Sequence, residues 1–352
     1  MKTRVLTITD PEEDIKKIQE AADLIRAGEV VAFPTETVYG LGANALEAEA
    51  VRKIFEAKGR PGDNPLIVHI YDVNQWKDLV EDIPKQALLL AEAFWPGPLS
   101  IILKKSSLIP EEVTAGLDTV GVRMPAHPAA LKLLALAGVP VAAPSANRSG
   151  KPSPTTAGHV LEDLNGRIPM ILDGGSSCVG VESTVLDCTG EVPLILRPGG
   201  VTPEMLREKA GQVRIHSSVR RPLFEDEKAI SPGMKYVHYA PNAPVVLIRG
   251  SVYSFADYVN RKALELEREG KKAGILATEQ SLRKCRYGIR LSLGDGNNPS
   301  EIAGNLFACL REFDSLGVDL ILAEAVEEKG IGLAVMNRIV KAAGFHVIDL
   351  ES

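Results

Sequence analysis

The chain has 352 residues, of which 45% are hydrophobic and 24% charged, so disordered, collagen-like and fibrous readings have no compositional support. Its length exceeds the roughly 250 to 300 residues at which single cores stop growing, which points to two domains. A formal net charge of −6 argues against wholesale nucleic-acid binding, though not against a local basic groove. The whole acidic excess falls in residues 1–217, with 22 Lys and Arg against 28 Asp and Glu, while 218–352 balance at 18 each. No apolar stretch approaches the roughly 18 to 20 residues of a membrane span, and Met1-Lys2-Thr3-Arg4 runs into Glu12-Glu13-Asp14 without a signal-peptide core, so a cytoplasmic protein without membrane contact is expected. Cys178, Cys188, Cys285 and Cys309 lack C-x-x-C spacing and read as small hydrophobes.

In chain order, Ile15, Ile18, Ala22 and Ile25 recur at helical spacing and Gly28 ends the helix. A strand Val30–Phe33 is cut by Pro34, and a polar loop, Pro34-Thr35-Glu36-Thr37, follows. Helical patterning covers Ala48–Lys58, then come an apolar run Leu66–Ile70, a helix over about Pro84–Trp95, the breaker Pro96-Gly97-Pro98 and a strand Ser100–Leu103. Further strands fit Val120–Met124, Val139–Ala143, Met170–Leu172, Thr184–Leu186 and Leu194–Leu196, with helices over Pro128–Ala137 and Pro203–Ala210. Several strands are joined too closely for crossover helices, so this sheet is expected to be mixed. Residues 217–244 read as a linker rich in functional side chains. From 245 the pattern is regular: strands Val245–Ile248, Ala273–Leu276, Ile289–Leu293 and Leu320–Ala323, with helices Phe255–Glu269, Glu301–Ser315 and Leu333–Ala343, which predicts a small parallel, Rossmann-like sheet.

No P-loop and no G-x-G-x-x-G is present, and Gly330-Ile331-Gly332 is either an anion cradle or a plain helix start. No G-x-S-x-G elbow occurs, and zinc-type clusters are absent from the pattern, so any metal is expected to be Mg²⁺ brought in with nucleotide phosphates. Lys58 and Arg60 end a helix and either answer its macrodipole or hold phosphate oxygens. The loop 143–150, with Ser145, Asn147 and Arg148, follows an apolar strand and is either a self-satisfied polar turn or a triphosphate site. Thr35, Thr37, His69, Arg123 and Ser183 stand at or beside strand ends and together suggest a pocket. Arg123 within an apolar strand needs an anion, and a substrate carboxylate, Glu36 or Glu182 would serve. The stretch Arg283-Lys284-Cys285-Arg286 reads as a solvated face or a docking site for tRNA or a partner.

Pro34-Thr35-Glu36-Thr37-Val38-Tyr39-Gly40-Leu41, Lys58-Gly59-Arg60-Pro61, Asn64-Pro65-Leu66, Trp95-Pro96-Gly97-Pro98-Leu99, Val122-Arg123-Met124-Pro125, the 143–150 loop and Ser183-Thr184-Val185 resemble the YrdC/Sua5 family of threonylcarbamoyl-AMP synthases. The linker motifs Ser231-Pro232-Gly233-Met234-Lys235 and His238-Tyr239-Ala240-Pro241 resemble its longer Sua5 form. The resemblance implies a YrdC-like mixed twisted α/β sheet with a deep concave cavity over 1–216, a linker 217–244 covering the active site, and a Rossmann-like parallel α/β domain over 245–352. It implies a nucleotidyltransferase that converts L-threonine, bicarbonate and ATP into threonylcarbamoyl-AMP and pyrophosphate. That product would feed N6-threonylcarbamoylation of adenosine 37 in tRNA, the transfer being made by a Kae1/TsaD-family partner. Lys58, Arg60, Ser145 and Asn147 would be catalytic. Asn64, Thr119, Ser153, Arg197, His238 and Tyr239 would join Lys58, Arg60 and Ser145 around ATP. Thr35, His69, Arg123 and Ser183 would hold threonine, and Lys235, His238 and Tyr239 would form a lid. A double-stranded RNA-binding module or a related carbamoyl-transfer enzyme on the same fold is the alternative, and direct tRNA contact stays open.

Overall fold

The computed structural model describes residues 2–222, 227, 229–234 and 238–350. The backbone divides into two compact units, Met1–Ser149 with Ser153–Lys235, and Gly150–Pro152 with Tyr236–Ser352. Among the described residues no helix is long and apolar enough to cross a membrane.

The strands of the first unit are β1 (Arg4–Thr7), β2 (Val31–Phe33), β3 (Gly40–Asn44), β4 (Ile67–His69), β5 (Leu99–Lys104), β6 (Thr119–Arg123), β7 (Val141–Ala142), β8 (Met170–Asp173), β9 (Thr184–Asp187), β10 (Leu194–Arg197) and β11 (Arg214–Ile215). They form one sheet in the order β1-β8-β2-β3-β7-β4-β6-β5-β9-β10-β11. Parallel pairs (β1/β8, β2/β8, β4/β6, β5/β9, β10/β11) alternate with antiparallel ones (β2/β3, β3/β7, β4/β7, β5/β6, β9/β10), so the sheet is mixed.

Strand alternation sorts the side chains of this sheet into two faces. Ala32, Leu41, Ala43, Val68, Leu99, Ile101, Leu103, Val120, Val122, Ala142 and Ile171 point into one core, which the helices Ala48–Lys58 and Lys85–Phe94 cover. Their alternates divide in two. Val31, Phe33, Val141, Met170 and Leu172 meet a second core, formed with Ile18, Ala21, Ala22 and Ile25 of the helix Ile15–Arg26 and Ala129, Ala130, Leu133 and Leu134 of the helix Pro128–Ala137. On β4, β5 and β6 the alternates facing away from the first core include His69, Ser100, Thr119 and Arg123. This face is thus apolar over β2, β7 and β8, and carries polar side chains beside a small apolar cluster of Ile102, Val185 and Leu196 over β4, β5, β6, β9 and β10.

The second unit is a five-stranded, wholly parallel sheet of β12 (Val245–Arg249), β13 (Ala273–Ala277), β14 (Ile289–Ser292), β15 (Leu320–Glu324) and β16 (Val347–Asp349), in the order β14-β13-β15-β12-β16. Parallel neighbours need crossovers, which the helices Val252–Arg268, Glu279–Leu282, Pro299–Leu316 and Gly332–Ala342 provide. Ser251 caps the first, accepting from Ser254 N–H at 3.2 Å, and Asn298 caps the third, accepting from Glu301 N–H at 3.3 Å. At the last helix, a Cβ on Gly332 would lie 2.1 Å from the Glu327 carbonyl oxygen, so the tight turn itself demands glycine there.

Sequence reading finds neither β1, β11 and β16, which are short, nor β3. The last is Gly40-Leu41-Gly42-Ala43-Asn44, and glycine disfavours strands by propensity. Close packing explains it: a Cβ on Gly42 would stand 2.6 Å from Val141 Cγ1 and 2.7 Å from Phe33 Cε1, both fully buried. Gly42→Ala should therefore destabilise the first unit by about 1 to 3 kcal/mol. Trp76 and Trp95, the only tryptophans, both lie in this unit, so urea unfolding followed by tryptophan fluorescence reads it directly; an unchanged midpoint would contradict the packing argument.

Candidate functional site

Arg123 ends β6, beside His69 of β4, and His69 in turn pairs with Val141 of β7. The guanidinium is buried, at 4% exposure. Its NH2 group meets Glu36 Oε1 at 2.7 Å, NH1 donates to Thr37 Oγ1 at 3.0 Å and Nε donates to the Gly97 carbonyl at 3.2 Å. Of the three anions the sequence allowed, the partner present is Glu36, whose other oxygen accepts from Ala126 N–H at 3.1 Å.

Thr35 organises the turn that brings Glu36 and Thr37 there. Its hydroxyl donates to the Val38 carbonyl at 2.6 Å and accepts from the N–H groups of Thr37 and Val38 at 3.2 and 3.3 Å. Thr37 Oγ1 lies 2.8 Å from Thr35 Oγ1 and accepts from Arg123 NH1. The Thr35 side chain is thus engaged within its own turn. His69 is buried, with its ring edge-on to Phe33 at 6.1 Å and Nδ1 without a hydrogen-bond partner. Burial, and secondarily the Arg123 charge, lower its pKa to about 3, so the imidazole is neutral.

Ser183 precedes β9, held between Ser100 Oγ at 2.8 Å and Arg197, which donates to its hydroxyl at 3.2 Å and to its carbonyl through Nε and NH2 at 3.1 and 3.0 Å. Ser153, wholly buried, donates to Glu182. Residues expected around threonine and around ATP therefore meet at Ser183 and Arg197. Ser100 escapes sequence reading, although its alternation with the core residues Leu99 and Ile101 is the signal that marks it.

Lys58 ends the helix Ala48–Lys58, and Gly59, with φ 61°, turns the chain away in a left-handed cap. The ammonium is buried and donates to the carbonyls of Ser145 and Asn147, with Asn147 Oδ1 at 3.4 Å. The 143–150 loop reaches it by docking on β3 and the residue before it, through Leu41 N–H to Pro144 O at 2.9 Å and Ala146 N–H to Tyr39 O at 2.8 Å. Ser145 donates to Asn147 Oδ1 at 2.5 Å. Lys58, Ser145 and Asn147 thus form one cluster. Arg60 donates to the carbonyls of Asn64 and Pro65, both at 3.1 Å. Thr119 lies at the opposite end of β6 from Arg123, about 13 Å along the strand, paired with Lys104.

Lys235 lies outside the described residues. His238 and Tyr239 belong to the second unit, with ring centroids 5.6 Å apart. The Tyr239 ring lies between Phe307 at 5.3 Å and Arg338 at 5.5 Å, and Tyr239 itself takes a positive φ of 66°. Among the described residues no three His, Cys, Asp or Glu side chains converge as a metal site would require.

A family model described as "Telomere recombination", covering Sua5, YciO and YrdC proteins, matches residues 23–199, and one described as "Threonylcarbamoyl-AMP synthase, C-terminal domain" matches residues 201–344. The chain is 53% identical over 338 residues to the threonylcarbamoyl-AMP synthase of Pyrococcus abyssi, covering 95% of this chain and 96% of that one. It is 48% identical over 347 residues to that of Bacillus subtilis, covering 98% and 97%. Among solved structures, that of P. abyssi Sua5 complexed with L-threonine matches with a TM-score of 0.94 at 50% identity, over 99% of this chain and 100% of that one. The chain belongs to the Sua5 family, in its two-domain form.

Proposed function

We propose that the chain is a cytoplasmic L-threonylcarbamoyladenylate synthase, joining L-threonine, bicarbonate and ATP into threonylcarbamoyl-AMP with release of pyrophosphate. The observation that carries the reading is Arg123. Its Nε and NH1 donate to Gly97 and Thr37 and its NH2 nitrogen is ion-paired with Glu36 while making no hydrogen bond, so donor capacity is left to receive a carboxylate. The relative crystallised with L-threonine supports an amino acid as the ligand. Buried Lys58, Arg123 and Arg197 suit a small anionic substrate rather than the phosphates of an RNA duplex, which need exposed cations. The product would supply a Kae1/TsaD-family enzyme that modifies adenosine 37 of tRNA.

In the proposed reaction the amine of threonine bonds to the bicarbonate carbon and water leaves. A carbamate oxygen then bonds to the α-phosphorus, and the bond from that phosphorus to pyrophosphate breaks. No covalent nucleophile of the protein is needed; orientation and charge neutralisation suffice. Arg123 would anchor the carboxylate, with Thr35 bracing the turn that holds its partners. His69, kept neutral beside Arg123, would accept the threonine hydroxyl at Nδ1 and leave the amine unprotonated by any nearby imidazolium. Ser183 would stand between threonine and Arg197. Lys58, Arg60 and Arg197 would neutralise phosphates with Ser145, Asn147, Asn64, Ser153 and Thr119 around the nucleotide. Mg²⁺ would enter with ATP, neutralising its phosphates together with these cations. The linker, with Lys235, His238 and Tyr239, would shield the carbamate from water.

Variants separate these roles. Arg123→Lys should raise the KM for threonine at least about tenfold with little change for ATP. Lys58→Ala should lower kcat by about 10² to 10³, and the His238→Ala/Tyr239→Ala double variant should lower kcat about tenfold by the loss of shielding. Pyrophosphate-release kinetics decide; equal effects of Arg123→Lys on both substrates, or undiminished turnover in the other two, would refute the assignments.

The His69 pKa also makes a stability prediction. The unfolded imidazole takes a proton below about pH 6.5 and the folded one only near 3. Stability is therefore undiminished above pH 6.5 and falls on acidification between 6.5 and 3, by about 1.4 kcal/mol per pH unit at most. His69→Gln should flatten that slope between pH 6.5 and 5 in urea unfolding read by tryptophan fluorescence; an unchanged slope would mean the buried imidazole is charged.

A further inference from the structure

The helix Val252–Arg268 and the turn after the helix Glu279–Leu282 flank a groove of about 710 Å³ on the second unit. Arg261, Arg283, Lys284 and Arg286 line it against one carboxylate, Asp257, in a chain whose formal net charge is −6. Two tyrosines stand open beside these cations, Tyr253 at 69% exposure and Tyr287 at 40%. Lys284 Nζ lies 4.4 Å from the centre of the Tyr253 ring. The nearest ion pair, Arg283 with Glu279 at 3.5 Å, joins two exposed side chains and is screened by water, so it does not cancel the local positive charge.

The backbone presenting these groups is fixed. Asn260, on the helix, donates to the Lys284 carbonyl at 3.0 Å and accepts from Arg286 N–H at 2.6 Å. Arg290 donates to the Cys285 carbonyl at 2.9 Å, and Cys285 is itself buried. The backbone that carries the cations and rings is therefore set before any ligand arrives, while the side chains themselves stand in water. A solvated face needs neither two open aromatic rings nor such bracing.

We propose that this groove binds single-stranded RNA. Cations on two separate segments match the repeated phosphates of a strand better than the single phosphate cluster of a free nucleotide. The tyrosines offer stacking faces that only unpaired bases can use, and such pairing of cationic and aromatic side chains is how single strands are held. The choice of RNA over DNA rests on the proposed supply of a tRNA-modifying step; the groove's chemistry does not.

The test is fluorescence anisotropy of the full-length chain with a labelled 12-nucleotide single-stranded RNA at increasing salt. Wild type should bind, with affinity falling as salt rises. Arg283→Glu/Arg286→Glu should bind at least about tenfold more weakly, with a salt slope lower by about 1.4, since each single-strand phosphate contact contributes about 0.7. Tyr253→Ala, at a position too exposed to threaten folding, should weaken binding about tenfold and leave the slope unchanged. Product formation from ATP, bicarbonate and threonine should be unaffected in both variants, which separates this groove from the synthase site. No binding at the lowest salt, equal binding by the variants, tighter binding of DNA, or competition by duplex RNA or a polyglutamate peptide as effective as that by the single strand would overturn the proposal.

Discussion

The ion pair between Glu36 and Arg123 is buried on both sides, and it joins the turn before β3 to the end of β6. An isolated charge in such a place is costly unless it is paired and hydrogen-bonded. Meeting that condition ties three remote pieces of chain together: the Thr35–Thr37 turn, the Gly97 carbonyl after Trp95, and the Ala126 amide that follows β6. Burial keeps His69 neutral across the strand pair, and the same charge adds to that effect. Removing one partner would leave a buried, uncompensated charge, which typically costs about 3 to 5 kcal/mol. The guanidinium is thus a structural tie that still holds donor capacity of its own.

Both units bury some cations and leave others in water. In the first, Lys58, Arg123 and Arg197 are nearly inaccessible, with carbonyls against Lys58 and Arg197 and the Glu36 carboxylate against Arg123. In the second, Arg311, Arg338 and Lys341 are buried as well, while Arg283 and its neighbours stand in water beside tyrosine rings. A net charge summed over either unit conceals both arrangements, because it counts a buried guanidinium and an exposed one alike.

Much of the fold was legible because periodicity carries it. The helices Ala48–Lys58 and Pro128–Ala137 lie where their spacing predicts, and the regular alternation after residue 244 yields the parallel sheet. What escaped did so for physical reasons. β3 is glycine-rich because its neighbours leave no room for side chains, a tertiary demand that overrides propensity. Ser100 looked like a strand residue among others until the sheet assigned its face. In the site, the need of Arg123 for an anion was readable from its apolar strand, but choosing Glu36 over Glu182 required the turn that Thr35 closes. Lys58 likewise could not be told from a helix-end cation until the 143–150 loop was seen to dock across from it. Composition and spacing show which groups need partners; only the folded chain shows which partners they find.

The most direct test of the account is mass spectrometry of the products formed by the full chain from MgATP, bicarbonate and L-threonine, with each component omitted in turn. The account predicts an adenylate bearing threonine and one carbon from bicarbonate, formed with pyrophosphate only when all components are present. An adenylate formed without threonine or without bicarbonate, or ATP left intact in the complete mixture, would contradict it.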